Sequence, residues 1–294
     1  MNLHALQQEL ADYENDATLV EEMNLDGRAR ALDFAVFLDQ VARLNRPSDE
    51  LTALKERADA LRARLLPINA RLFRELRERI RRGTETPHQL RRELDQFTRY
   101  APESTGQTHF GFDGLDLLLD GVFDIGKPPF LARSPLPDMI HYEPTPARVV
   151  LDLVDHAGIR PDDVFYDLGS GLGRVVMLVS LLAGCRAVGV EYQSDYTAYA
   201  RRCAEELRVT RVEWITADAR EVDYANGTVF YLFTPFKGAM LAAVLERLRQ
   251  AARQRRLTIC GYGPCTRVLF EQSWLRPLDP TANHDYRLSI FRAG

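Results

Sequence analysis

Three glycines at alternate positions follow an aspartate in Val164-Phe165-Tyr166-Asp167-Leu168-Gly169-Ser170-Gly171-Leu172-Gly173-Arg174-Val175-Val176. The run up to Asp167 is rich in strand formers, and an apolar helical pattern begins after Gly173, so the glycines form a strand-to-helix turn. Glycine allows such a turn to be sharp and lets backbone approach a ligand where a Cβ would intrude. The helix that follows offers free N–H groups and a positive dipole end to anionic ligand groups. Eighteen residues past Gly173, Ala187-Val188-Gly189-Val190-Glu191 reads as a strand ending in a carboxylate suited to ribose hydroxyls. The strand Arg211-Val212-Glu213-Trp214-Ile215-Thr216 then leads to Ala217-Asp218-Ala219, a second carboxylate placed for an adenine amino group. This order points to an adenosine-containing cofactor at the carboxyl ends of parallel strands.

Two cofactor classes share that geometry. Dinucleotides favour GxGxxG with the pyrophosphate over the helix N-terminus. Here the spacing is GxGxG, and Asp167 would repel a pyrophosphate while attracting an ammonium group. S-adenosylmethionine has an amino-acid tail and no phosphate, so it fits better than a nicotinamide dinucleotide. Arg174 opens the helix, where a cation opposes the dipole, which predicts a contact with a carboxylate of cofactor or substrate.

The elements that must position these groups follow from composition. Of 294 residues, 46% are hydrophobic and 27% charged, which excludes disordered and fibrous classes. The net charge of −4 argues against a generic polyanion binder. Only Lys55, Lys127 and Lys237 are lysines among 38 basic residues. Cys185, Cys203, Cys260 and Cys265 make no CxxC pair or metal-ligand spacing, so no metal is expected and the thiols read as buried ones of a cytoplasmic protein. The start of the chain has no signal-peptide pattern, and the nearly apolar run Val175 to Gly184 is too short to span a bilayer. No membrane partner is expected.

Residues 1–100 are rich in Leu, Ala, Arg and Glu and predict an all-α N-terminal domain for substrate recognition or dimerisation. Leu51, Leu54, Ala58, Leu61, Leu65, Ile68 and Leu72 form one helical stripe, with a kink or break expected at Pro67. Leu32, Phe34, Phe37, Leu38, Val41 and Leu44 form another, which suggests a small bundle or hairpin. Eleven acids against four arginines over residues 1–50, and eight arginines against three glutamates between Arg71 and Arg92, make opposed charge patches. These patches can face each other, lie in water, or receive nucleic acid or an acidic partner. Residues 101–141, with five Pro, five Gly and Phe110, Phe112, Phe123 and Phe130, form a connector expected to dock near the active site as a possible lid. From Tyr142 to Gly294, β-branched and aromatic runs alternate with helical patterns, giving an α/β, Rossmann-like, mostly parallel sheet. Its later strands are Val229 to Phe233, Leu257 to Tyr262, and a closing antiparallel hairpin around Trp274-Leu275 and Tyr286 to Phe291.

With Asp167-Leu168-Gly169-Ser170-Gly171-x-Gly173, and Tyr142-Glu143-Pro144-Thr145-Pro146 about twenty residues before it, the segment 142–294 resembles a class I, seven-stranded S-adenosylmethionine-dependent methyltransferase. Within that class it is most similar to the disruptor-of-telomeric-silencing type of protein lysine methyltransferase and to related prokaryotic and mitochondrial lysine enzymes. The resemblance implies that Tyr142 and Thr145 close over the cofactor, with Asp167, Gly169 and Gly171 around its methionine part and Gly173 completing the loop. It also implies that Glu191 binds the ribose and Asp218 the adenine. Thr234-Pro235-Phe236 falls where these enzymes line the acceptor entrance; the histone-modifying family carries an asparagine where Phe233-Thr234 stands here.

Methyl transfer is an in-line displacement at a sulfonium carbon, so alignment carries much of the catalysis. A lysine acceptor must be neutral, which a desolvated aromatic channel favours. Tyr142, Phe233, Phe236 and Tyr262 are candidates for that channel, with Thr234 beside them. No dedicated general base stands out; His141 and His284 are the histidines placed for an O-methyl transfer. The expected activity is N-methylation of a protein lysine. RNA, a small molecule, or a non-catalytic cofactor-binding role are the alternatives, and a homodimer is possible.

Overall fold

The computed structural model describes residues 2–100 and 112–294. Phe110, expected in the connector, lies outside the described residues. Helices α1 (Leu3–Asn15), α2 (Leu25–Leu44), α3 (Asp49–Arg82) and α4 (Pro87–Tyr100) precede α5 (Gly114–Phe123) and α6 (Ala147–Ala157). Strands and helices then alternate: β1 (Val164–Leu168), α7 (Arg174–Ala183), β2 (Arg186–Glu191), α8 (Ser194–Leu207), β3 (Val212–Thr216), β4 (Val229–Phe233), α9 (Gly238–Ala252) and β5 (Leu257–Tyr262). The chain closes with α10 (Cys265–Phe270), β6 (Arg276–Pro277) and β7 (Ser289–Ala293).

The seven strands lie in the order β3-β2-β1-β4-β5-β7-β6. The first five are parallel, and β7 runs antiparallel to both β5 and β6. The closing hairpin is shorter and later than its sequence suggests, because β6 has two residues and Tyr286 precedes β7. Between β1 and β4 the strand order reverses, and in open α/β sheets that point is where ligands bind. Register brings the expected groups to one end: Asp167 is level with Gly189 and Tyr231, Glu191 with Thr216, and Phe233 with Tyr262.

Each face of the sheet is covered. One apolar cluster joins α9 and α10 to the sheet through Val188, Phe230, Val244 and Leu269. On the other face, Val150, Val176 and Leu207 of α6, α7 and α8 share a core with Leu76, Leu94 and Leu119 of α3, α4 and α5. The connector therefore contains a helix seated in the core. Its Asp113 caps α5 by accepting from the Leu115 N–H, and the Asp116 carboxylate accepts from the Asp113 N–H in return.

The hairpin of α2 and α3 has its own small core of Leu10, Phe34, Leu38, Leu61 and Leu65. Phe37 and Leu44, placed on the apolar stripe by spacing, face solvent instead, at 47% and 85% exposure. Arg28 is fully buried where α2 crosses α3: its Nε donates to Asn69 Oδ1 at 2.6 Å and its terminal nitrogens to the carbonyls of Leu19, Glu21 and Glu22. The break expected at Pro67 does not occur, and α3 is one helix of 34 residues. Pro67 and Ala63 both face solvent, so the carbonyl left without a helical donor can be hydrated.

The arginine-rich segment does not face the acidic N-terminal residues. Arg79 pairs with Glu85 and Glu93, and Arg91 with Asp95 and Asp155. Arg77 donates to the carbonyls of Gly121 and Val122, and Arg81 to that of Glu206. Arg77, Arg81 and Arg91 thus tie α3 and α4 to the sheet-bearing part of the molecule, while Arg79 ties α3 to α4.

Replacing Pro67 with Ala restores a helical hydrogen bond at a solvated position. Urea unfolding followed by helix signal should then shift to higher denaturant, by about 2 kcal/mol. An unchanged midpoint would mean that the helix already carries the proline without cost.

Candidate active site

A cavity of about 590 Å³ opens at the carboxyl ends of the parallel strands. Gly169, Val190, Glu191 and Gln193 form one end, with Ala217 and Ala219 after β3. Phe233, Thr234, Phe236 and Tyr262 form the other, at the ends of β4 and β5. Tyr142 lies in the wall between them. All five residues expected at the acceptor end, Tyr142, Phe233, Thr234, Phe236 and Tyr262, thus line one pocket.

The glycine loop is built by close approach. A Cβ on Gly171 would lie 2.3 Å from the Tyr142 ring, at a φ of +51° that side chains rarely adopt. One on Gly173, at φ +84°, would meet Trp214 at 2.3 Å. The loop is tied to β2 because the Gly171 N–H donates to Glu191 Oε2 at 3.0 Å and Gln193 N–H to Oε1 at 2.9 Å. Each Glu191 oxygen keeps a further lone pair for a ligand donor. Burial pushes the Glu191 carboxyl upward, opposed by those backbone N–H groups. Tyr142 is held from its other side by the Tyr196 ring at 5.5 Å, and burial keeps its hydroxyl protonated far above its ordinary range.

Asp167 is buried beneath the loop, not in the pocket wall. Burial, and then the charge of Glu191, push its carboxyl up to about 8. A carboxyl in that state is a latent anion: a cation brought beside it draws off its proton.

Thr234 has a φ of +38°, a left-handed conformation that is costly for a β-branched residue. Two hydrogen bonds hold it there: its Oγ1 donates to the Tyr262 carbonyl at 3.2 Å and accepts from the Cys265 N–H at 3.1 Å. The kinked turn faces Pro235 and Phe236 into the cavity. The described part of the connector crosses the same turn. The Ile140 N–H donates to the Pro235 carbonyl at 3.1 Å, and Met139 bridges to Phe236. Farther along, the Ala132 N–H reaches Asp195, and the Arg133 guanidinium lies 5.6 Å over the Tyr192 ring. Phe112, Leu131, Pro135 and Met139 line the cavity, so the connector does dock there.

Other expected residues stand elsewhere. Arg174 is turned away from the cavity, and its contact with a cofactor or substrate carboxylate gives way to two carboxylates of the protein. It is 4% exposed, with one terminal nitrogen on Asp116 at 2.5 Å and on the Thr145 carbonyl at 3.2 Å, and the other on Asp120. The dipole argument missed this because it could not see α5 supplying both acids. Asp116 also accepts from the Ala147 N–H at the start of α6, and burial pushes it up to about 6. Thr145 is buried, with its hydroxyl 3.1 Å from that of Tyr231. The Asp218 carboxylate is clasped by Arg220, which holds it below its usual range, while its neighbours Ala217 and Ala219 reach the wall. His141 lines the cavity; His284 is not in its wall and instead accepts from the Tyr286 N–H.

Spacing alone missed Gln193, which lines the cavity with its Oε1 buried and without a hydrogen-bond partner. Such an orphaned acceptor fits a ligand bearing amino or hydroxyl donors, as does the carboxylate of Glu191 beside it. Its position two residues after the strand-end acid was the available signal. Among the described residues no group of three or more His, Cys, Asp or Glu is placed to hold a metal ion. Nor is any described helix long and apolar enough to cross a membrane.

Comparison with known proteins agrees with this geometry. Residues 140–231 match the family described as histone methylation protein DOT1. A protein-lysine N-methyltransferase of Saccharolobus islandicus is 29% identical over 143 residues, covering 48% of this chain and 81% of that protein. A histone-lysine N-methyltransferase of Caenorhabditis elegans, specific for H3 lysine-79, is 36% identical over 64 residues, 21% of this chain and 7% of that one. Among solved structures, an RNA methyltransferase from Salinibacter ruber with bound S-adenosyl-L-homocysteine aligns over 51% of this chain and 92% of its own, at 27% identity and a TM-score of 0.41.

The state of Asp167 can be read without any ligand. Its folded carboxyl keeps a proton up to about pH 8, whereas the unfolded chain releases it near 4. The folded state therefore binds more protons between those values, and stability falls as pH rises through that window. The thermal midpoint of ligand-free protein should drop between pH 6 and 9, and Asp167→Asn should drop less. Parallel curves for the two proteins would rule out a protonated Asp167.

Proposed function

Since residues 142–294 carry the fold of a class I, S-adenosylmethionine-dependent methyltransferase, we propose that this protein methylates the amine of protein lysine side chains. One observation carries the reading: a single cavity joins the glycine-loop and Glu191 end to an aromatic end formed by Tyr142, Phe233, Phe236 and Tyr262. The names of the relatives matched by sequence support lysine over RNA or a small molecule.

In this reading Glu191 accepts from the ribose hydroxyls, and Gln193 with Ala217, Asp218 and Ala219 receives the adenine. Gly169, Gly171 and Gly173 let the backbone approach the methionine part, and Tyr142 and Thr145 close over it. Asp167 gives up its proton when an ammonium is brought beside it, so binding is expected to tighten as pH rises toward 8. Bound S-adenosylmethionine supplies a methyl group on a sulfonium, which the acceptor nitrogen must approach in line. Thr234, Phe236 and Tyr262, with Tyr142, shape that approach. The 5.0 Å packing of the Phe233 and Tyr262 rings walls it with apolar surface, where an amine loses its charge more readily than in water.

Residues 1–100 serve substrate recognition, and the connector, from Phe112 onward, acts as a lid. Its hydrogen bonds to the 234–237 turn and its place in the cavity wall support that role. A cytoplasmic setting is part of the reading, supported by four buried free thiols that a reducing compartment preserves.

Incubating the protein with methyl-labelled cofactor and host lysate should place label in protein, recovered as methyllysine after hydrolysis. Label that survives protease and is lost to RNase would exclude the lysine reading. Gly171→Val adds three carbons, the first of them 2.3 Å from the Tyr142 ring, so calorimetry should show S-adenosylhomocysteine binding weakened at least tenfold. Wild-type affinity in that variant would remove the loop from the cofactor site.

A further inference from the structure

Two acids line the cavity, and they differ in one respect. Both oxygens of Glu191 accept backbone N–H groups. Glu143, in the Tyr142-Glu143-Pro144 segment, makes no hydrogen bond or ion pair among the described residues. Other acids of the chain are paired with arginine, as Asp279 and Asp285 are with Arg287 and Arg267.

The position of Glu143 is set from both sides. Tyr142 is wedged between Gly171 and the Tyr196 ring, and the Thr145 hydroxyl is tied to that of Tyr231. Pro144 confines Glu143 to extended backbone. The backbone from which its side chain projects is therefore fixed at the cavity wall. It faces the acceptor end: the charge of Glu143 contributes to raising the Tyr262 hydroxyl, after burial, and Tyr262 packs on Phe233.

We propose that Glu143 selects the acceptor by charge, admitting a side chain that arrives as an alkylammonium and disfavouring hydroxyl and acidic groups. The inference rests on the lysine reading above and names the residue that makes that site choose a cation. Glu143 is exposed, so its unpaired carboxylate in the cavity wall meets an arriving ammonium while that cation is still in water. The same aromatic faces, Phe233 and Tyr262, add cation–π attraction along the path. As the ammonium moves past the carboxylate into the apolar channel, it loses that partner, and its proton becomes easier to remove. Capture and deprotonation then occur at different depths, so one carboxylate does not have to oppose the chemistry it feeds.

The test uses full-length protein, labelled S-adenosylmethionine and a pool of lysine-containing decapeptides, with the same pool carrying hydroxynorleucine in place of lysine as the neutral comparator. Glu143→Gln is expected to raise the apparent KM for the lysine pool about tenfold, with kcat changing much less, because an interaction made on entry is lost. Glu143→Lys should abolish transfer to lysine while S-adenosylhomocysteine affinity and the thermal midpoint stay near wild type. Labelled lysine peptides with an unchanged KM in Glu143→Gln would overturn this inference alone. Transfer to the hydroxynorleucine pool as efficient as to the lysine pool would overturn it too. Wild-type protein that binds S-adenosylhomocysteine yet labels no lysine peptide would remove the lysine reading and this inference with it.

Discussion

The arrangement of the molecule hangs on one buried guanidinium. Arg174 starts the helix after the glycine loop, and both of its acid partners, Asp116 and Asp120, come from α5. Removing one partner of a buried ion pair typically costs about 3–5 kcal/mol, because the survivor is left charged in a poor solvent. The same α5 acids reach outward. Asp116 accepts from the first N–H of α6, Asp113 pairs with Arg148, and the Gly114 N–H donates to Asp26 of α2. Three helices, α2, α6 and α7, therefore take their positions from one short segment, and the glycine loop that leads into α7 is held with them.

This explains how the elements before the sheet bear on the pocket. The strap from Asp138 to Tyr142 lies across the 234–237 turn through backbone pairing, and Tyr142 fills the space that Gly171 leaves open. The strained Thr234 closes the other side. Each of these contacts is short and nearly rigid, so the cavity is largely formed before any ligand enters.

Much of this was legible in the sequence, for reasons that can be named. The glycine loop, Glu191 and the succession of strands and helices along the chain depend on local turns and on periodicity, which a single chain displays. The antiparallel close of the sheet was visible for the same reason, although β6 and β7 begin later than their apolar runs. Arg174 was misjudged because its partners lie 54 and 58 residues away, in a segment whose Gly and Pro content masks a core helix. Asp218 looked free because the clasp of Arg220, two residues on, depends on a side-chain rotamer. Pro67 looked like a break because the rule for proline assumes a buried helix interior, whereas here the lost hydrogen bond faces water. Gln193 stood just beyond the strand-end acid and Glu143 within the Tyr142–Pro146 motif, but neither residue type marks a site; only burial and pairing distinguish them.

The long α3 helix belongs to two cores: Leu61 and Leu65 pack within the hairpin, while Leu72, Leu76 and Ile80 join the sheet-bearing part. The seam in apolar packing therefore falls inside a continuous helix, near Asn69, and not at the change of composition around residue 100. For protein surgery this moves the scalpel. A cut at residue 100 strips α3 and α4 from the surface they cover and leaves a greasy wound on α5, α7 and α8. A cut just after Asn69 keeps Leu72, Leu76 and Ile80 on that surface and leaves Leu61 and Leu65 in the hairpin core.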